Sequence, residues 1–143
     1  MTVIAWDGKW LAADKRATDG AGIARTVTKI QRFDGALIGI TGNWDVATEL
    51  RAWWKAGAEP RDFPAKARDG NAKLIIIRED SVVIYNEGPY PMPIEQEKCA
   101  FGSGRDYAEA AMYLGHTAAE GVRVASHFQT DCGNGIDILS LED

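Results

Sequence analysis

The chain has 143 residues, a formal net charge of −5 and an apolar fraction of 45% that includes five Trp. That length fits one domain, and the apolar fraction is sufficient for a hydrophobic core. No apolar run approaches the ~20 residues of a membrane span, and the N-terminus lacks the pattern of a signal peptide. The acidic balance argues against a nucleic-acid partner, which usually needs a basic patch. We therefore expect one cytoplasmic domain over residues 1–143, with neither a nucleic acid nor a membrane as partner.

The first half of the chain is predicted to form two β-hairpins and a helix. Its strands are expected at residues 3–6, 10–13, 27–32 and 36–41. Each hairpin turns at an Asp-Gly pair, Asp7-Gly8 or Asp34-Gly35, which is a strong hairpin signal. After Gly42, apolar residues at helical spacing predict a helix over 44–55, which Gly57 ends.

The second half repeats this order of elements. Strands are expected at residues 74–77, 82–85, 99–101 and 136–141, and helices at 107–114 and 117–128. Thr117 and Glu120 form a capping box at the start of the last helix. Because strands cluster as hairpins instead of alternating with helices, the pattern argues against a doubly wound parallel sheet. The pattern predicts an α+β fold with two antiparallel sheets and helices outside them.

Neither the cysteines nor the histidines have the spacing of a metal site. Cys99 and Cys132 are too few for a disulfide framework and are expected to be reduced thiols. His116 and His127 lie on separate helical turns without a further ligand. The turn Gly102-Ser103-Gly104 lacks the third glycine and the parallel βαβ setting of a nucleotide-binding loop. We expect neither a metal nor a cofactor.

Thr2 is the first candidate for chemistry. If Met1 is removed, Thr2 carries a hydroxyl nucleophile and a free α-amine, which together form a nucleophile–base pair. The usual pKa of an α-amine, about 7.7–8.0, suits a base near neutral pH. The same residue could equally be an ordinary strand start.

Four further residues could complete such a site. Lys29 could tune the amine, Asp14 at the end of the second strand could fix Lys29, and the Gly42 N–H could meet an oxyanion. Ser103 occupies the position equivalent to Gly42 in the second half. Each has a structural alternative: a turn carboxylate, a solvated charge, a helix-entry glycine and an N-cap.

Motifs around these residues occur in the order typical of one enzyme family. They are Leu11-Ala12-Ala13-Asp14-Lys15-Arg16-Ala17-Thr18, Lys29-Ile30, Ile40-Thr41-Gly42, Gly102-Ser103-Gly104 and Gly135-Ile136-Asp137. From Thr2 to about Leu141, the chain resembles the proteasome β-type and HslV-like subunits of the N-terminal-nucleophile (Ntn) hydrolases, in particular small bacterial or phage proteasome-like proteins. The resemblance implies a four-layer αββα sandwich.

The resemblance also implies a role for each catalytic candidate. Thr2 would be the nucleophile after loss of Met1, with its amine as base. Lys29 would tune the proton network and Asp14 would orient Lys29. The Gly42 N–H would form the oxyanion hole, and Ser103 would hydrogen-bond near the Thr2 amine.

Substrate contacts are implied in the same way. Backbone groups of Thr18 and Gly42 would pair with an extended substrate as an added strand. Ile40 and Trp44 fall where the family lines its first specificity pocket, which implies a preference for an apolar P1 residue.

The chain departs from the family before the last strand. The family often has Asp-x-x-Ser-Gly-Gly there, whereas this sequence reads Gln129-Thr130-Asp131-Cys132-Gly133. If Cys132 takes the Ser position, Gln129 takes the Asp position. Either a loop shift lets Asp131 substitute as the catalytic carboxylate, or that carboxylate is missing.

The resemblance implies a threonine endopeptidase subunit of a self-compartmentalising, homo-oligomeric ring, six- or seven-fold and single or stacked. Its substrate would be a peptide or unfolded protein, and an ATPase unfoldase is a candidate partner. Two alternatives stay open at this point. One is a catalytically silent ring subunit, and the other is an Ntn amidohydrolase of a small-molecule amide.

Overall fold

The computed structural model describes residues 2–19 and 21–142. Met1, whose removal is expected above, lies outside the described residues. Eleven strands are assigned within those ranges: β1 Ile4–Trp6, β2 Trp10–Asp14, β3 Arg16–Thr18, β4 Ala24–Thr26, β5 Ile30–Phe33, β6 Ala36–Gly42, β7 Ala72–Arg78, β8 Ser81–Tyr85, β9 Met92–Pro93, β10 Cys99–Phe101 and β11 Ile136–Ser140. The helices are α1 Trp44–Lys55, α2 Arg105–Tyr113 and α3 Ala118–Phe128, with 3₁₀ turns at Pro60–Asp62 and Ala65–Asp69.

The strands form two main sheets in which every pairing is antiparallel. One sheet has the order β10-β1-β2-β11, and the other has the order β5-β6-β7-β8-β9. Helices α2 and α3 cover the first sheet, and α1 covers the second. The layers therefore run helices, sheet, sheet, helix. The predicted four-layer αββα sandwich is confirmed.

Both faces of the central strands are buried, which explains their almost continuous apolar sequences. Along β7, Leu74 and Ile76 pack under α1, whereas Ile75 and Ile77 face the other sheet. In β6, Gly39 lies opposite Ile4 of the first sheet, and a Cβ at Gly39 would lie 3.0 Å from Ile4 Cδ1. The missing side chain of Gly39 therefore lets the two sheets approach closely.

Most predicted elements are confirmed, and the bounds of the predicted helix over 44–55 match those of α1. The strand predicted at 27–32 is wrong in its first part, since β5 begins at Ile30 and Lys29 precedes it. The β3–β4 hairpin was not predicted. All three β4 residues are exposed, so this strand lacks the alternation of apolar and polar residues on which strand prediction depends.

None of the helices within 2–19 and 21–142 is long and apolar enough to cross a membrane.

The N-terminus of α3 is capped as the sequence predicts. The Thr117 hydroxyl accepts from the Glu120 N–H at 3.1 Å, and the Glu120 carboxylate accepts from the Thr117 N–H at 2.9 Å. Replacing Thr117 with Ala should lower the free energy of unfolding by about 1 kcal/mol, because the Glu120 N–H loses the hydroxyl that accepts from it. Urea denaturation measures the change. Thr48→Ala is the control: the Thr48 hydroxyl only bonds carbonyls of its own helix, so no loss is expected there. Equal losses in both variants would contradict the prediction.

Candidate active site

Thr2 lies directly before β1, at one end of the space between the two sheets. Its side chain is buried, with 5% of the residue surface exposed. The main chain is held on both sides: the Gly104 N–H donates to the Thr2 carbonyl at 3.1 Å, and the Val3 N–H donates to Asp14 Oδ1 at 3.1 Å. The hydroxyl is thereby fixed in place by the backbone to which it is attached.

Lys29 joins Thr2 to Asp14. Lys29 Nζ is 3.3 Å from Thr2 Oγ1 and 2.8 Å from Asp14 Oδ1, and both Lys29 and Asp14 are buried. The structure thus brings together the predicted nucleophile, cation and carboxylate. A cation at this distance favours loss of the hydroxyl proton, because it stabilises developing negative charge on Oγ1.

The Asp14 carboxylate binds donors from four separate segments. Besides Lys29, it accepts from the backbone N–H groups of Val3 (3.1 Å), Arg16 (3.2 Å) and Gly133 (3.0 Å). A buried carboxylate is stable only when its oxygens are satisfied in this way. Asp14 therefore fixes Lys29 and also ties the end of β2 to the loop before β11.

Ser103 faces the main-chain nitrogen of Thr2, as predicted. The Thr2 N–H donates to Ser103 Oγ at 3.2 Å, and the Ser103 hydroxyl is 3.4 Å from the Thr2 carbonyl oxygen. This nitrogen is the atom that would become the α-amine if Met1 were removed. Ser103 belongs to the turn 102–104, between β10 and α2.

Gly102 is a site residue that was not singled out from the sequence. Its φ is +95°, and a Cβ at this position would lie 2.1 Å from the Thr2 carbonyl oxygen. Only glycine fits both constraints. The motif Gly-Ser-Gly contained the signal, but the contact that requires glycine joins residues a hundred positions apart.

An open cleft of about 680 Å³ runs past Thr2. Its lining includes Thr2, Lys29, Thr18, Ile40, Gly42 and Trp44. Ile40 forms a buried floor, whereas Trp44 is 42% exposed at the start of α1. Gly42 has φ +96° and lies so close to β7 that a Cβ would be 2.3 Å from the Asn71 carbonyl oxygen. The cleft thus brings all three predicted substrate-binding residues beside the nucleophile.

A second cleft, of about 720 Å³, lies between α1 and residues 59–66. Its charged lining consists of Glu49, Glu59, Asp62 and Lys66. No Ser, Thr, Cys or His lines it within the described ranges, so it offers no hydroxyl or thiol nucleophile.

Asp131 lies in the loop before β11, directly before Cys132. Among residues 2–19 and 21–142, no hydrogen bond or ion pair joins Asp131 to Thr2, Lys29 or Ser103, and its catalytic role stays a prediction. Gln129 instead donates from Nε2 to the Ser103 carbonyl at 3.2 Å, and Cys132 is buried beside Ser103.

Arg16, which was not predicted as a site residue, ties this loop to β3. Its guanidinium donates to the Thr130 carbonyl at 2.6 Å and to Asn134 Oδ1 at 3.0 Å. Arg16 therefore helps place the Gly133 N–H that donates to Asp14.

No group of three or more His, Cys, Asp or Glu side chains within 2–19 and 21–142 is arranged to hold a metal ion.

The two thiols are buried, and burial raises their pKa values. The pKa of Cys99 rises to about 12 through burial and the negative charge of Glu109. That of Cys132 rises to about 11 through burial and the negative charge of Asp14, partly opposed by Lys29 and by a hydrogen-bonding interaction with Ser103.

Because the thiolate is the reactive form, both cysteines should be inert to Ellman's reagent at pH 8 in the native protein. Two thiols should titrate after addition of guanidinium chloride, which exposes them and restores ordinary pKa values. Rapid reaction of one thiol in the native protein would contradict the burial described above.

Replacing Gly102 with Ala should destabilise the protein more than a positive φ alone explains. A non-glycine residue in the left-handed region costs about 1–3 kcal/mol, and the contact with the Thr2 carbonyl adds to that cost. Gly35→Ala is the matched control, since Gly35 has φ +78° but nothing within 4 Å of its Cβ position. Urea denaturation gives the loss in free energy of unfolding for each variant, and the difference between the two losses measures the clash with the Thr2 carbonyl. Equal losses would show that the Thr2 contact relaxes without cost.

Comparison with known proteins supports this fold by structure alone. No protein-family model matches the sequence, and neither does any curated protein sequence. Among solved structures, HslV from Trypanosoma brucei has a TM-score of 0.71 at 19% identity, over 96% of this chain and 97% of that one. Thiobacillus denitrificans BPH in complex with epoxomicin has a TM-score of 0.71 at 19% identity, over 99% of each chain. The Anbu (Gly-1) mutant from Hyphomicrobium sp. strain MC1 has a TM-score of 0.73 at 12% identity, over 98% of this chain and 81% of that one.

The chain therefore has the fold of Ntn hydrolases. More narrowly, it has the HslV-like, proteasome β-type form of that fold over nearly its whole length.

Proposed function

We propose that this chain is a threonine peptidase subunit in which Thr2 becomes the N-terminal nucleophile once Met1 is removed. The observation that carries the proposal is the buried row Thr2–Lys29–Asp14, with 3.3 Å between Thr2 Oγ1 and Lys29 Nζ and 2.8 Å between Lys29 Nζ and Asp14 Oδ1. The likeness to HslV and BPH adds support at the level of fold.

The proposed reaction has two steps. The Thr2 hydroxyl attacks a peptide carbonyl while the α-amine takes its proton, directly or through a water. The Gly42 N–H would stabilise the oxyanion, a contribution of roughly 3–4 kcal/mol for a donor of this kind. The amine then passes the proton to the leaving amine, and an acyl ester remains on Thr2. Water hydrolyses that ester and regenerates the nucleophile.

Substrate would lie in the cleft as an added strand between the backbones of Thr18 and Gly42. Ile40 and Trp44 present apolar surface there, which supports a preference for an apolar P1 side chain. The substrates would be peptides or unfolded proteins.

The working unit would be a cytoplasmic homo-oligomeric ring, six- or seven-fold and single or stacked, with an ATPase unfoldase as a further partner. The likeness to HslV, and the sequence motifs described above, support this assembly. The ring would enclose the cleft of each copy.

A catalytically silent ring subunit is the second candidate. It is favoured by one observation: the loop at 129–132 places an amide and a thiol near Ser103, while within the described ranges no hydrogen bond or ion pair joins Asp131 to Thr2, Lys29 or Ser103.

Intact mass before and after incubation with a peptide epoxyketone separates the two candidates. The ring-shaped adduct of this electrophile needs both a Thr hydroxyl and a free α-amine on one residue. We expect loss of Met1 and one stoichiometric adduct per chain. Thr2→Ala should give no adduct, because it lacks the hydroxyl, and should still unfold as a folded chain does.

Thr2→Ser should still form the adduct, because it retains a hydroxyl beside the amine. Thr48→Ala, on the outer helix α1, should react like the unmodified chain. Retained Met1 with no adduct would overturn the peptidase proposal and favour the silent subunit.

A further inference from the structure

Ser103 depends on other residues for its position. It lies in the turn 102–104, whose two flanking glycines contribute no side chains to packing. Yet its hydroxyl must stay 3.2 Å from the Thr2 nitrogen if it is to act on the amine. The Gly104 N–H anchors one end of this turn on the Thr2 carbonyl, and the neighbours of Ser103 itself supply further restraint.

The turn after α3 contacts the segment around Ser103 at two points. The Gln129 side chain donates to the Ser103 carbonyl at 3.2 Å. The buried Cys132 thiol packs against the residue after Ser103, since a Cβ at Gly104 would lie 3.2 Å from Cys132 Sγ. One contact thus restrains the Ser103 carbonyl, and the other restrains the turn that carries Ser103.

Gln129 and Cys132 belong to one rigid unit. The Cys132 N–H donates to the Gln129 carbonyl at 3.1 Å and closes the turn, while the Gln129 N–H donates to the Ala125 carbonyl at the end of α3. The next residue, Gly133, donates to Asp14. The turn is therefore anchored both to a helix and to the buried carboxylate of the site.

The fit between the two turns is close. A Cβ at Gly104 would lie 2.9 Å from Val3 Cβ, 3.0 Å from Ala125 Cβ and 3.2 Å from Cys132 Sγ. Only glycine at 104 allows the turn 102–104 to pack this closely against α3 and Cys132. Cys132 therefore packs against the turn 102–104 within the apolar layer that also contains Val3 and Ala125.

We propose that Gln129 and Cys132 are positioning residues that hold Ser103 against the Thr2 nitrogen, as an uncharged amide–thiol clamp on the proton network of the nucleophile. This inference rests on the proposed function of Thr2. Where the family motif described above has a carboxylate and a hydroxyl, this loop has two neutral side chains, those of Gln129 and Cys132. Asp14 then remains as the carboxylate that contacts Lys29.

The chemistry of the two residues fits this role. Because the pKa of Cys132 is raised to about 11, the thiol stays protonated and neutral at physiological pH. An amide is neutral at every pH. The clamp can therefore orient the Ser103 hydroxyl without adding a charge that would hold the amine in its protonated, non-basic form.

The test is the rate of epoxyketone adduct formation, resolved into the binding constant KI and the maximal rate kinact. Cys132→Ala and Gln129→Leu each remove one contact with the turn 102–104 without adding a charge. We expect kinact to fall about 3- to 10-fold in each, as loss of one neutral side-chain contact predicts, with KI nearly unchanged. Cys132→Ser restores a neutral side chain of similar shape and should recover most of kinact.

Cys99→Ala is the matched control, because Cys99 is an equally buried thiol in the layer between the two sheets. It should leave kinact unchanged even if it lowers stability. Wild-type kinact in both Cys132→Ala and Gln129→Leu, or a change in KI alone, would overturn the clamp.

Hydrogen exchange gives a readout that does not depend on the nucleophile. Exchange across residues 102–104 should speed up in Cys132→Ala and Gln129→Leu but not in Cys99→Ala. If the parent chain forms no adduct while exchange responds in this way, the peptidase proposal fails and the clamp survives as a structural contact. Unchanged exchange with a reactive parent chain would reject the clamp alone.

Discussion

The buried carboxylate of Asp14 is the interaction on which the rest of the site depends. It accepts from Lys29 and from three backbone N–H groups, and these donors come from the residue before β1, the start of β3, the segment before β5 and the loop before β11. Removing the carboxylate would take away the ion-pair partner of a buried ammonium and the acceptor of three backbone N–H groups, which is costly. The same contacts that stabilise the fold therefore also orient the segment around Thr2.

Glycines supply the complementary constraint, because the backbone approaches too closely for side chains at the points where the layers meet. Gly102 touches the Thr2 carbonyl, Gly42 touches the Asn71 carbonyl and Gly104 touches Val3. The contacts of Gly102 and Gly104 restrict the backbone at Thr2 and Val3. The position of Thr2 is thus determined by close packing of the backbone as well as by hydrogen bonds.

The order of the layers and most residues of the candidate site could be predicted from the sequence. Helix α1 followed from its apolar spacing, and Asp14, Lys29, Gly42 and Ser103 followed from motifs in a known order. The sequence was not sufficient for Gly102, Arg16 or the Gln129 contact, because each depends on residues far apart in the chain that only the fold brings together. The hairpin β3–β4 was missed because its two strands have only three residues each and carry no periodic signal. Lys29 was placed in a strand because the β-branched residues beside it are typical of strands.

The spread of the Asp14 donors along the chain also bears on biosynthesis. Gly133 and Asp14 are 119 positions apart, and Thr2 and Ser103 are 101 apart. A ribosome must therefore complete nearly the whole chain before the carboxylate has its donors and Thr2 meets its neighbours. Since such long-range contacts form slowly, we expect Thr2 to gain its neighbours late in folding. Topology alone thus delays assembly of the candidate site until synthesis has passed the loop before β11.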